Sequence, residues 1–217
     1  MTLTTKFSAT YAICCLIYLI VSGYLAPELS GALKILPIIL LGLLTLSTTI
    51  NSVTSHLSLA LLFSMGGDIL LELGYFVPGL ISFLLAQFTY AALFTRYYSP
   101  WNKRIVISIL IIAFSAVMSV LLWNTAADMR LPVLVYLVVI TMMGLSANVS
   151  TIQGVLTGAI IFMISDSLIA IYRFVVPIPA SGRLIMVSYY LAQYILVTSV
   201  LEQIESNSKR LTRSIQN

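Results

Sequence analysis

The chain has 217 residues, 60% of them apolar and only 8% charged, with a formal net charge of +4. Soluble domains carry about 25% charged residues, so 11 basic and 7 acidic side chains cannot clothe a water-facing surface of this size. A soluble enzyme and a disordered chain are excluded. So is a nucleic-acid-binding domain, because the Lys and Arg residues stand at the ends of apolar runs and form no basic stripe.

A helix that crosses a bilayer needs about 20 mostly apolar residues. Taken in order, the sequence offers eight such segments: 8–25, 32–50, 55–73, 76–96, 104–123, 130–147, 152–173 and 183–203. The breaks between them are marked by Pro27, Asn51, Gly74 with Pro78, Pro100, Asn124, Asn148 and the run Pro177-Ile178-Pro179-Ala180-Ser181-Gly182. The predicted fold is therefore all-α: a polytopic integral membrane protein built as a bundle of eight transmembrane helices. Residues 1–203 form one transmembrane domain, and 204–217 a short, polar, solvated tail. The first segment, with Lys6 ahead of it, resembles a signal peptide but lacks a small-residue cleavage site, so it reads as a retained span. Cys14 and Cys15 are neighbours in that span and read as free thiols.

An even number of spans puts both termini on one side. That side holds Lys6, Arg96, Lys103, Arg104, Lys209, Arg210 and Arg213; the other holds Lys34, Arg130, Arg173 and Arg183. The excess predicts a multi-pass protein of the cell membrane with both termini cytoplasmic. Trp101 and Trp123 sit at span ends, as interfacial aromatics do.

A carboxylate inside a span costs about 2.5–3.5 kcal/mol on insertion scales and marks function. Glu28, Asp128, Glu202 and Glu205 fall in loops or at ends, and Glu72 reads as an interfacial charge. Two acids remain. Asp68 lies in Ser64-Met65-Gly66-Gly67-Asp68 of span three. Asp166 lies in Ser165-Asp166-Ser167 of span seven, where the flanking hydroxyls can bond a carboxylate or a polar ligand. Counted from residues 55 and 152, they are the fourteenth and fifteenth residues of spans that run the same way. Equal depth in the outer half points to one shared site.

Other polar groups fall near that level. Gln193 is four residues from Tyr189 and three from Tyr190, and Gln87 stands three from Tyr90, so each shares a helix face with its neighbours. Lys34 opens span two, with Pro37 just beyond. Together these residues are candidates to line a polar pocket opening outwards, with Lys34 placed to attract a lipid phosphate. His56, the only histidine, sits at the opposite end of span three from Asp68. No HExxH, GxSxG or P-loop pattern occurs, which leaves zinc, serine-nucleophile and nucleotide mechanisms without support and predicts no metal and no cofactor.

Two carboxyl groups close together in a medium of low dielectric do not both ionise readily and share a proton. Such a pair suits general acid–base work through an oxocarbenium-like cation. A vinyl ether is a fitting substrate: protonation of its outer carbon gives the cation, water adds, and the hemiacetal collapses. The alternative use of the same carboxylates is a proton-coupled transporter or lipid carrier, which predicts flux without product. A non-catalytic assembly factor predicts stability effects alone.

The segments Lys34-Ile35-Leu36-Pro37, Gly67-Asp68, Phe83 to Tyr90, Tyr136 to Met143, Gly158 to Phe174 and Tyr189-Tyr190 with Gln193 resemble the YhhN family of eight-pass membrane proteins, whose characterised animal members are lysoplasmalogenases. The resemblance implies hydrolysis of the vinyl ether of a lysophospholipid drawn from the membrane. The products would be a fatty aldehyde and glycerophosphocholine or glycerophosphoethanolamine. It implies Asp68 and Asp166 as the catalytic pair, with Lys34, Tyr90, Ser165, Ser167, Tyr190 and Gln193 as candidate substrate-binding residues. Where the family often has Gly-His-x-x-Tyr, this chain reads Ala86-Gln87-Phe88-Thr89-Tyr90.

Overall fold

In hydrocarbon every backbone N–H and C=O must find its partner within the chain, so each apolar stretch is driven into a helix. The computed structural model describes residues 2–100, 104–177, 179 and 181–216. Its helices are α1 (Thr2–Val21), α2 (Pro27–Lys34), α3 (Leu36–Leu46), α4 (Ser52–Glu72), α5 (Phe76–Thr95), α6 (Ile105–Thr125), α7 (Arg130–Val149), α8 (Val155–Phe174) and α9 (Ser181–Gln216). Among the described residues there is no strand; one isolated bridge, Tyr98 to Ser150, ties the chain after α5 to the chain after α7. Eight helices are long and apolar enough to cross a membrane, with α2 and α3 together making the second. The protein is a multi-pass membrane protein.

The second span departs from the continuous helix over 32–50 that the hydropathy predicts. It starts at Pro27 and breaks at Ile35, between α2 and α3. Pro37 explains the break, since it has no N–H to donate and its ring crowds the carbonyl four residues back. At the break the Lys34 carbonyl takes the hydroxyl of Tyr190 at 2.8 Å.

Helix starts set the depth of the carboxylates. Asn51 caps α4: its side chain accepts from the N–H groups of Val53 and Thr54, and Thr54 returns a bond to the Asn51 N–H. Gly154, at φ +91°, turns the chain into α8 in a conformation only glycine adopts freely. Relative to the sequence reading, α4 starts three residues earlier and α8 three later. Asp68 thus lies four residues from the C-terminal end of α4, and Asp166 eight from that of α8.

Lipid offers helices no hydrophobic reward for associating, so close packing and polar ties must hold them together. The closest partners are α4 with α5 and α8 with α9. Ser8 and Tyr194 bond at 2.6 Å, and the Tyr11 hydroxyl donates to the Tyr190 carbonyl at 2.7 Å, fastening α1 to α9. Large side chains of α6, including Val106, Ile109 and Val117, point outward, as a lipid-facing helix requires. The last helix runs on through Gln216, so the polar tail continues α9 as helix. Trp101, Lys103, Ile178 and Ala180 lie outside the described residues, as does the side chain of Arg210. Trp123 is exposed beneath the Arg130 guanidinium, 5.7 Å from its ring centre.

A Cβ added at Gly158 of α8 would stand 2.8 Å from Leu196 Cγ and 3.2 Å from its backbone nitrogen. Gly158→Ala is expected to push α8 off α9 at a cost of about 1–3 kcal/mol, read as a lower unfolding midpoint in detergent.

Candidate functional site

The end of the bundle where α2, α4, α5, α8 and α9 meet carries a buried charge cluster. Asp68 is 2% exposed, and its Oδ2 accepts the Tyr189 hydroxyl of α9 at 2.6 Å. Lys34, the last residue of α2, reaches in with its Nζ 3.7 Å from Asp68 Oδ1 and 3.3 Å from Glu72 Oε2. Ser30, one turn earlier, donates to Glu72 Oε1 at 2.6 Å. Glu72 is therefore no isolated interfacial charge. One turn beyond Asp68 on the same face of α4, it is the second acid on Lys34. The four-residue spacing from Asp68 was the available signal; the helix break that aims Lys34 at both acids was not visible in composition. Lys34 is itself buried, and two carboxylates engage its ammonium.

Behind Asp68 runs a chain of hydrogen bonds. The Gln193 amide donates to Ser64 Oγ at 3.0 Å and to the Tyr189 hydroxyl at 3.4 Å, and its carbonyl accepts from the Tyr90 hydroxyl at 2.7 Å. Tyr90, Tyr190, Gln193 and Ser165 are all buried; Ser165 donates to the Ile185 carbonyl of α9. These four residues bind helix to helix in place of lining an open pocket. The reason is the absence of water between packed spans, which leaves phenols, amides and hydroxyls to satisfy one another.

Asp166 is placed differently. Its carboxyl is bonded by the Tyr136 hydroxyl of α7. Two small apolar crevices open onto it. One, of about 30 Å³, lies among Phe114, Met118, Met163 and Ser167; the other, of about 50 Å³, among Leu71, Phe76, Phe83 and Phe174. Ser167 is the one candidate binding residue to join Asp166 at a crevice wall, although its hydroxyl donates to the Met163 carbonyl. A third crevice, of about 250 Å³, brings the charged side chains of Lys34, Glu72 and Arg183 to walls shared with Ile185 and Met186. It shares Leu71 and Ile169 with the Phe76–Phe174 crevice, so the two adjoin.

The two aspartates are near enough for their charges to interact, but among the described residues no hydrogen bond joins them. Each has its own tyrosine. Phe83 touches both surroundings: it lines the Asp166 crevice and meets Tyr189, the partner of Asp68, edge-on at 5.9 Å. Its ring packs against Gly67 so closely that any Cβ there would overlap it. Beside Tyr136 lies Gln87, wholly buried, with neither amide atom hydrogen-bonded. His56 pairs with Arg96 at the other end of the molecule. The site thus offers two carboxyl groups in unlike surroundings: one beside a cation, one facing an apolar crevice with a tyrosine as its hydrogen-bond partner.

The sequence profile of the YhhN family matches residues 29–200. Lysoplasmalogenase TMEM86A of Bos taurus is 31% identical over 195 residues, covering 81% of this chain and 80% of the relative. Lysoplasmalogenase TMEM86A of Homo sapiens is 32% identical over 205 residues, or 85% and 84% of the two chains. Lysoplasmalogenase TMEM86B of Homo sapiens is 32% identical over 177 residues, or 79% and 75%. No solved structure matches the chain.

Removing one partner of a buried ion pair strands the other charge, at a cost of about 3–5 kcal/mol. Lys34→Met is accordingly expected to destabilise the protein by about that much, and Lys34→Met/Asp68→Asn to recover part of the loss. Unfolding midpoints of the single and double variants in detergent check this.

Proposed function

Because the chain belongs to the YhhN family and resembles proteins named lysoplasmalogenases, we propose that it hydrolyses the vinyl ether bond of a lysoplasmalogen within the bilayer. The observation that carries the reading is the pairing of two intramembrane carboxyls of different character at one end of the bundle. Asp166 has no cation beside it among the described residues and is assigned the proton-donor role. Asp68, whose charge Lys34 balances, is assigned the anionic role.

The chemistry follows from those assignments. Asp166 gives its proton to the outer carbon of the double bond, whose π electrons form the new C–H bond. The ether oxygen shares a lone pair to make an oxocarbenium ion, which the nearby Asp68 charge stabilises. Water adds to the carbon bearing the oxygen, and its released proton passes to a carboxylate. The hemiacetal then collapses: the carbon–oxygen bond to glycerol breaks, a proton goes to the departing glycerol oxygen, and the aldehyde carbonyl forms. One water is consumed and no electrons are transferred. Tyr136 holds the Asp166 carboxyl in place during proton transfer. Phe83 must turn to bring water and the Asp68 side together.

Ligand pockets run to about 300–1,000 Å³, well above the 50 Å³ of the Asp166 crevice. Substrate entry therefore requires Phe76 and Phe174 to swing aside. The excess of Lys and Arg at the end bearing the termini supports a cytoplasmic location for both. The site then opens towards the outer half of the membrane.

Purified protein is expected to release fatty aldehyde from lysoplasmenylethanolamine, and Asp68→Asn and Asp166→Asn each to lose at least about 100-fold in kcat. Reaction in D2O should leave one deuterium on the aldehyde carbon next to the carbonyl. Full activity in either variant would overturn the assignment of the two carboxylates, and aldehyde free of deuterium would overturn protonation at carbon.

A further inference from the structure

Charge matters as much as chemistry in choosing a lysolipid, because its phosphate must be held somewhere near the reacting bond. Lys34 is ill suited to hold it, since its ammonium is buried against Asp68 and Glu72. The geometry points to Arg173 instead: we infer that its guanidinium binds the phosphate diester of the lysolipid from the rim of the Asp166 crevice and so selects phospholipid over neutral ether lipid. This inference rests on the hydrolase reading given above.

Three observations support it. The Arg173 guanidinium carbon lies 4.0 Å above the Phe76 ring and 6.0 Å from the centre of Phe174. Those two rings meet edge-on at 5.7 Å, and both line the crevice that ends on Asp166. A guanidinium held over an aromatic ring keeps its charge, and its N–H donors can form the fork that matches two phosphate oxygens. Arg173 is also exposed and has no acidic partner among the described residues, so its charge is uncommitted.

Spacing completes the case. Arg173 follows Asp166 by seven residues on α8, two turns along the same face, or about 10 Å in axial distance. The vinyl ether oxygen and the phosphate of a lysoplasmalogen are separated by the glycerol backbone, and the reach of an arginine side chain closes the remaining gap. Phosphate held at Arg173 would set the double bond near Asp166, with the hydrocarbon chain left on the apolar side. The same movement of Phe76 that admits the chain carries Arg173 with it, because the guanidinium rides on that ring.

The test compares two substrates on the same purified protein: lysoplasmenylethanolamine, and a 1-O-alkenylglycerol of the same chain, which has the vinyl ether but no phosphate. Wild-type protein is expected to favour the phosphate-bearing substrate through KM, and Arg173→Gln to erase about tenfold of that preference. Arg173→Lys should retain part of it, since a point charge replaces the fork. Arg130→Gln, at the Trp123 ring outside the crevice, should leave the preference as it was. A preference unmoved by Arg173→Gln and Arg173→Lys, with aldehyde still released from both substrates, overturns this inference and spares the hydrolase reading. So does a preference lost in Arg183→Gln alone, which would put the phosphate in the crevice that Arg183 lines. Aldehyde from neither substrate overturns both. A merely structural Arg173 lowers the unfolding midpoint without changing the ratio between substrates, and that result too counts against the proposal.

Discussion

A buried ammonium, the buried carboxylate of Asp68 and the half-buried one of Glu72, held together in a membrane-spanning bundle, govern how this end of the molecule is built. None of the three would be tolerated alone among packed apolar helices, and together they hold one another in place. The break at Ile35, which Pro37 imposes, falls directly after Lys34, so the residue that ends α2 is the one that contacts Asp68 and Glu72. The Tyr190 hydroxyl takes the Lys34 carbonyl at the interruption, so the defect in the helix is also a point of attachment to α9.

The two aspartates illustrate how one residue type acquires two characters from its surroundings. Asp68 sits in a polar network extending through Tyr189, Gln193, Ser64 and Tyr90. Asp166 has a single phenol and apolar walls of Phe, Met and Leu. A carboxyl embedded in a network is rigid and charge-balanced; one at the edge of a crevice is accessible to a hydrophobic ligand. Phe83 belongs to both environments, lining the Asp166 crevice and packing on the tyrosine that bonds Asp68.

Much of the architecture is legible in the sequence because hydrocarbon allows so few choices. The number of spans and their order follow from hydropathy and punctuation alone, and the two intramembrane aspartates stand out because ionisable groups there are so scarce. What escaped reading depends on distances between elements. The helix starts are one example: an asparagine caps α4 and a left-handed glycine opens α8, each shifting the start by three residues. Tyr136 gives no sign in its own helix that it will meet Asp166. Tyr90, Tyr190 and Gln193 are buried and hydrogen-bonded between helices, which periodicity could not say: it shows which residues share a face, not whether that face meets solvent or another helix. Gln87, which looked like interhelical glue, is buried with both amide atoms unbonded, and nothing in the sequence sets it apart from Gln193.

The junction of a charge-bearing crevice with an apolar one at Leu71 and Ile169 bears on what becomes of the products. On the proposed reaction one lipid is split into two molecules of opposite solubility. A glycerophospho-alcohol would find charged side chains at Lys34, Glu72 and Arg183, and the aldehyde would find Phe and Leu side chains, so the two fragments would part towards different phases.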